Sequence, residues 1–115
     1  MAAMITKEKI KENFLNNAIE HGKAIALGDY KKANKIHKKM KILCSQAEKN
    51  NWKEVFSELL NESDESVRLW AATFTLKVLP NLAEKSLTDL SKSSSITGLT
   101  AKTTLHLWRE GKLSL

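Results

Sequence analysis

The sequence predicts an all-α fold, and three features support that class. Its 115 residues contain only one proline and four glycines, so few positions interrupt a helix. Apolar residues recur at helical spacing along most of the chain. The apolar and charged fractions, 42% and 28%, are those of an ordinary globular protein. We expect about six helices, stacked as antiparallel hairpins in a single domain spanning residues 1–115.

The first two helices are expected to form a hairpin over about residues 6–27 and 29–48. Thr6 is a candidate N-cap for the first helix, whose apolar positions are Ile10, Phe14, Ala18 and Ile25. Gly28 fits the stop between the helices, and the Asp29 carboxylate can accept the free amides that begin the second. The buried stripe of the second helix falls within about 80° and comprises Ala33, Ile36, Met40, Leu43 and Ala47.

A short third helix is expected after Asn51, its candidate cap, with apolar residues Trp52, Val55, Phe56, Leu59 and Leu60. The fourth helix, over residues 67–79, is apolar on two sides. One side gathers Val67, Ala71, Phe74 and Val78, and the other gathers Leu69, Ala72, Leu76 and Leu79. Such a helix must be covered on both sides, as in a stacked helical array. Asp64 and Arg68, four residues apart, can form a charge-assisted contact at its start.

Pro80 is expected to end the fourth helix, and Asn81 to cap a fifth that carries Leu82, Ala83, Leu87 and Leu90. The serine-rich stretch at residues 91–98 is interpreted as a mobile surface loop. A last helix carrying Ala101, Leu105 and Trp108 is expected to close at Gly111.

The net charge of +6 belongs to the first half of the chain. Residues 1–50 carry eleven lysines against five acidic residues, whereas residues 51–115 carry eight basic and eight acidic residues. Six of the lysines lie within residues 31–41. On a helical wheel Lys31, Lys35, Lys38 and Lys41 lie opposite the buried stripe, with His37 at one flank. The row is either the solvated side of an ordinary helix or a strip for binding a partner.

Catalytic, cofactor and metal chemistry is not expected. No histidine has another histidine or a cysteine three or four residues away, and Cys44 is the only cysteine. No phosphate-binding loop, nucleophile elbow or zinc-protease motif occurs, so we expect neither an enzyme nor a bound cofactor. The tryptophans fall on apolar stripes and are interpreted as core residues, although Trp70, beside Arg68, is the best candidate for a half-exposed interface anchor.

The sequence offers no stretch of about 18 apolar residues, and its N-terminus becomes charged before a signal-peptide core could form. A cytoplasmic protein without membrane contact is therefore expected.

The stretch D-E-S-V-R-L-W-A-A-T-F-T-L, from residue 64, resembles the second half of a HEAT-type repeat. With G-D-Y-K-K-A-N-K at 28–35 and A-K-T-T-L-H-L-W-R-E-G at 101–111, the chain resembles small bacterial α-α superhelical domains over about residues 14–111. The resemblance implies a short HEAT-like superhelix and a stand-alone bacterial domain. Relatives of this kind include the immunity proteins encoded beside polymorphic toxins in contact-dependent growth inhibition.

That resemblance favours an immunity protein that binds a cognate toxin domain, with a nuclease as one candidate, and blocks its active site or substrate groove. The candidate partner-binding residues are Lys31, Lys35, His37, Lys38, Lys41, Arg68 and Trp70. Because this chain is basic, the contacted surface is expected to be acidic. One alternative is weak, sequence-independent nucleic-acid binding through the lysines. A structural protein-interaction module is the other.

Overall fold

The computed structural model describes residues 6–52 and 54–113 and is built from helices, with no strand among those residues. Six α-helices occur in this part of the chain, and a single 3₁₀ turn, Leu59–Asn61, follows the third. The helices are α1 (Lys7–Ala26), α2 (Tyr30–Lys49), α3 (Glu54–Glu58), α4 (Glu65–Thr75), α5 (Pro80–Ser91) and α6 (Ile96–Arg109). The all-α class and the number of helices are confirmed.

Backbone contacts divide the chain into two compact units, Met1–Val55 and Phe56–Leu115. The N-terminal unit is built on α1 packed against α2. In the C-terminal unit, α4 packs against α5, α6 and the 3₁₀ turn, and α5 packs against α6. Because short connections join packed neighbours, the helices form antiparallel hairpins. The single domain stays a prediction, since its two ends lie outside the described residues.

The buried face of the N-terminal hairpin follows the expected stripes. Ile10, Phe14 and Ala18 of α1 are fully buried. All five stripe residues of α2 are buried as well, and Cys44 lies at their edge. At the end of α1 the structure differs, because Ala24 is buried while Ile25 is partly exposed. The side of α2 that carries the lysines therefore faces water.

Three helices end in the same way, with a residue in the left-handed conformation just beyond the last turn. That residue is Gly28 after α1, Asn51 after α2 and Gly111 after α6, with φ of 73°, 59° and 71°. In each case its amide and the next one donate back to carbonyls of the last turn, forming a Schellman motif. Gly28 and Gly111 are confirmed as helix stops. The role predicted for Asn51 is wrong, because it ends α2 and does not cap α3.

The N-terminal caps of α1 and α2 are confirmed. The Thr6 hydroxyl accepts a hydrogen bond from the Lys9 amide, and Asp29 accepts one from the Lys32 amide, both at 3.1 Å. At the start of α3, the Glu54 carboxylate lies 2.8 Å from the Lys7 ammonium group. Hydrogen bonding from the Lys7 side chain lowers the pKa of Glu54.

Helix α4 is enclosed on both of its apolar sides, as predicted. Residues 71–76 are all buried, and so are Val67 and Leu69. The hydroxyl groups of Thr73 and Thr75 are satisfied within the helix, each donating to a carbonyl four residues earlier at 2.7 Å. The helix ends at Thr75 and not at Leu79. Val78 and Leu79 are consequently 38% and 44% exposed, so the buried part of the first apolar side stops at Phe74 and that of the second at Leu76.

Two predicted boundaries in the C-terminal unit are wrong. Pro80 is the first residue of α5 and Leu79 its N-cap, so Asn81 lies inside the helix. Proline suits this position because its fixed φ is helical and the first amide of a helix needs no partner. The expected loop at 91–98 is also shorter, since α5 continues through Ser91 and α6 starts at Ile96.

The connection between α5 and α6 is organised by serine side chains. The Ser95 hydroxyl accepts a hydrogen bond from the Gly98 amide, which makes Ser95 the N-cap of α6. The Ser93 hydroxyl donates to that of Ser95 at 2.9 Å. Gly98 is buried so closely that an added Cβ would lie 2.1 Å from the Ser93 carbonyl oxygen. Glycine is required at this position because any side chain would clash with the Ser93 carbonyl.

Candidate partner-binding surface

The basic face of α2 consists of Lys31, Lys35, Lys38 and Lys41, all of which are exposed. At a rise of 1.5 Å per residue, the row extends about 15 Å along the helix axis. The opposite side of α2 is anchored by its buried stripe. The lysines are therefore displayed on a helix that packing holds in place.

The positive charge of this face is not compensated within the described part of the chain. Ion pairs there involve other lysines, namely Lys7, Lys23, Lys92 and Lys112. None of the four lysines of the basic face forms a hydrogen bond or ion pair with another described residue. An acidic partner could thus bind these ammonium groups without first breaking an ion pair with another described residue.

Two apolar side chains accompany the basic face. Ile42 is 59% exposed and lies between Lys35 and Lys38 on the helical wheel. Tyr30, the first residue of α2, is 64% exposed. Tyrosine and exposed aliphatic side chains are typical of the centres of protein interfaces. Neither residue is among the partner-binding residues predicted from the sequence, although the helical wheel places Ile42 among the lysines.

His37 lies between the basic face and α1. Its ring is half-buried and meets that of His21 edge to face, with the centroids 6.5 Å apart. Burial is the main cause that lowers the pKa of both rings, and the neighbouring charges of His37 and Lys41 lower those of His21 and His37 respectively. Both rings therefore favour the neutral form. No group of three or more metal-binding side chains occurs among the residues that the structure describes.

Arg68 and Trp70 belong to α4, in the C-terminal unit, and are both partly buried. Positions two apart on a helix differ by about 200°, so these side chains leave α4 in nearly opposite directions. The Trp70 ring packs near Phe74, with 6.3 Å between their centroids, and retains the partial exposure expected of an anchor. Arg68 and Trp70 therefore do not share one side of α4.

The prediction of a charge-assisted contact between Asp64 and Arg68 is wrong. The Asp64 carboxylate caps α4 instead, accepting hydrogen bonds from the amides of Ser66 and Val67 at 2.8 and 3.1 Å. An N-terminal carboxylate gains from these free amides and from the helix dipole, which outweighs a solvated ion pair. Arg68 is left facing a depression between α4 and α5, lined also by Asn61, Lys85, Ser86 and Asp89. This depression was not predicted from the sequence, because α5 contributes residues far from Arg68 in the chain.

Within the described residues, no helix combines the length and the apolar character that crossing a bilayer requires.

No protein-family model and no curated protein sequence matches this chain. Among solved structures, it is similar to the protein RPA1889 from Rhodopseudomonas palustris CGA009. The two share 20% sequence identity and a TM-score of 0.88, and the match covers 97% of this chain and 95% of that one. At this identity the likeness concerns the fold alone.

Proposed function

We propose that this chain is a cytoplasmic immunity protein of the HEAT-like kind, which binds a cognate bacterial toxin domain and neutralises it. The basic face of α2 would meet an acidic surface of that domain. The observation that carries the proposal is a row of exposed lysines that form no ion pair with any other described residue, displayed on a firmly packed helix.

Electrostatics explains why such a row suits a protein partner. Four ammonium groups along about 15 Å match a strip of carboxylates and would accelerate encounter with it. Charge complementarity alone raises the association rate and orients the two proteins more than it strengthens their binding. Ile42 and Tyr30 supply apolar and aromatic surface beside the lysines, as a durable contact requires.

To neutralise the toxin domain, the protein needs only to occupy its active site or substrate groove. A helix about 10 Å wide with its side chains is broad enough to cover a substrate groove, and inhibition then follows from excluding the substrate. This mechanism asks for no catalytic group on the inhibitor. His37 would contribute at the flank as a neutral ring, since its pKa is lowered by burial and by Lys41.

The experiment first identifies the gene immediately upstream of this chain, which we expect to encode a large secreted protein with a C-terminal toxin domain, and then tests rescue of a bacterial host that expresses that domain. Wild-type protein should restore growth. The triple variant Lys31→Glu, Lys35→Glu, Lys38→Glu should not, because it turns an attractive face into a repulsive one. A matched control, Lys9→Glu, Lys92→Glu, Lys102→Glu, changes the net charge equally at exposed positions outside α2 and should still rescue. Circular dichroism checks that both variants remain folded.

The outcomes separate two failures. If wild-type protein does not protect the host, the proposed function is wrong. If both triple variants protect equally, the function stands but the basic face is not the interface.

Nucleic-acid binding is the second candidate, because ammonium groups in a row, without an ion pair to any residue that the structure describes, also suit phosphates. Gel retardation with mixed DNA and RNA at low salt and at about 150 mM salt tests it. Micromolar binding that survives the higher salt, and that the Lys31, Lys35, Lys38 variant loses, would place this function first. Binding that disappears on raising the salt indicates the loose attachment of any basic surface.

A further inference from the structure

The guanidinium group of Arg68 has an unsatisfied donor. Its Nε atom is buried and has no hydrogen-bond partner among the described residues. The side chain begins on α4, whose adjoining residues Val67 and Leu69 are buried, so its origin is fixed by the core. Buried polar groups in native proteins nearly always have a partner, either in the protein or in something bound to it.

Arg68 lines two adjoining depressions in the C-terminal unit, with volumes of about 200 and 450 Å³. Both are also lined by Leu60, Ser86 and Asp89. The larger adds the hydrogen-bonding groups of Ser57, Asn61 and Lys85. Donors from the end of α3, from α4 and from α5 thus converge on one polar space.

The larger depression holds two cations, Arg68 and Lys85, against one carboxylate, that of Asp89, whereas the smaller holds Arg68 against the carboxylates of Glu65 and Asp89. Glu65 accepts a hydrogen bond from the Ser95 hydroxyl at 3.3 Å. The Asp89 carboxylate lies 3.9 Å from the ammonium group of Lys92, outside the depression. Neither Arg68 nor Lys85 forms an ion pair with another described residue. The larger depression therefore has a formal lining charge of +1, two cations against one carboxylate, together with the Nε donor of Arg68, which no described residue satisfies.

We infer that this depression binds a small ligand through an oxyanion, a phosphate or carboxylate group held by Arg68 and Lys85. The planar guanidinium presents Nε–H and a terminal N–H side by side, a geometry that matches two oxygens of either group. The Lys85 ammonium and the Ser86 hydroxyl supply further donors. This site lies in the C-terminal unit and is independent of the function proposed for α2.

Nuclear magnetic resonance can observe the Arg68 donor directly. The chain contains two arginines, so its Nε–H spectrum should show two resonances. The second, Arg109, donates from Nε to the Glu84 carboxylate at 3.2 Å and serves as an internal reference. Sodium phosphate and sodium acetate, titrated separately at constant ionic strength, are the probes.

We expect the Arg68 resonance to shift and to saturate with at least one probe while the Arg109 resonance stays in place. Saturation with phosphate alone identifies a phosphate site, and saturation with acetate alone identifies a carboxylate site. Shifts that never saturate, or that are equal for both arginines, would overturn the inference.

Variants assign the effect to the depression. Lys85→Gln alters an exposed residue, so folding is preserved, and it should weaken binding by about tenfold, the usual effect of removing one charge-assisted hydrogen bond. Lys102→Gln, exposed on α6 and outside both depressions, should leave the affinity unchanged. Equal affinities for the two variants would contradict the proposed site.

A second test addresses Asp89, whose carboxylate lines both depressions together with Arg68. In the free protein, Asp89→Asn should leave the Arg68 resonance near its wild-type position. A large displacement in that variant, together with no response to either anion in the wild type, would show that Asp89 already occupies the donor.

Discussion

The imidazole rings of His21 and His37 meet across the α1–α2 hairpin, one from each helix, with 6.5 Å between their centroids. Burial lowers the pKa of both rings, so the folded hairpin resists their protonation. The contact links the stability of the N-terminal unit to pH. It also adjoins the basic face through Lys41, whose charge further lowers the pKa of His37.

We predict that the free energy of unfolding decreases as the pH falls below about 6.5, the usual pKa of histidine in an unfolded chain. Below that value the unfolded chain takes up protons that the folded hairpin still refuses, so acid favours unfolding. The contribution is complete above pH 6.5 and is lost as the pH falls through the lowered folded values. Urea denaturation monitored between about pH 5.5 and 7.5 measures it above the range of most carboxylates.

The double variant His21→Gln, His37→Gln serves as the control, and its stability should vary less over the same range. A wild-type stability that is constant or increases on acidification would contradict the prediction.

A second prediction concerns how far the second apolar side of α4 is covered. Leu76→Ala should reduce the free energy of unfolding by roughly 2–5 kcal/mol, because its side chain is fully buried and its removal leaves a cavity. Leu79→Ala should cost less than about 1 kcal/mol, since its side chain is 44% exposed. Chemical denaturation of the two variants measures the difference. Similar losses at both positions would mean that the coverage of α4 continues beyond Leu76.

The third prediction is that Gly98→Ala destabilises the C-terminal unit. Helix propensity alone would favour alanine by about 1 kcal/mol. The added methyl group would, however, lie 2.1 Å from the Ser93 carbonyl oxygen, which belongs to backbone and cannot rotate away. We expect a net loss of about 1–3 kcal/mol, seen as a lower thermal midpoint. Thr103→Ala, at an exposed position of α6, is the control and should be neutral or slightly stabilising.

The fourth prediction concerns the left-handed residues that end α1 and α2. An alanine at Gly28 would touch nothing within 4 Å, so the cost of Gly28→Ala is conformational alone, about 1 kcal/mol. Asn51→Gly should act oppositely and stabilise by up to about 1 kcal/mol, because glycine adopts positive φ without strain. Denaturation midpoints compare the two variants. A loss of stability in Asn51→Gly would imply that the asparagine side chain does more than tolerate this conformation.

The N-terminal hairpin could be predicted from the sequence nearly in full, because its signals are local. Thr6 and Asp29 each accept a hydrogen bond from the backbone amide three residues later in the chain. The helical spacing of Ile36, Met40 and Leu43 separates the buried side of α2 from the exposed side. The His21 and His37 contact could also have been found. In an antiparallel hairpin that turns near Asp29, positions eight residues before and eight after lie opposite each other.

The errors arose where one residue type serves two ends of a helix. Asparagine favours both an N-cap and a left-handed stop, and at Asn51 the stop of α2 prevailed. Pro80 was expected to end α4 but is instead the first residue of α5, because α4 already ends at Thr75. The depression around Arg68 depends on contacts between α4 and α5, and no local spacing encodes them.

The packing partners within each unit are mostly consecutive helices, and this has a kinetic consequence. Bringing neighbours together closes only short loops, so little chain entropy is lost before the first contacts form. We expect folding within microseconds to milliseconds, as in other proteins with mainly local contacts. During synthesis α1 and α2 are made before α4, so the hairpin can form while translation of the rest of the chain continues.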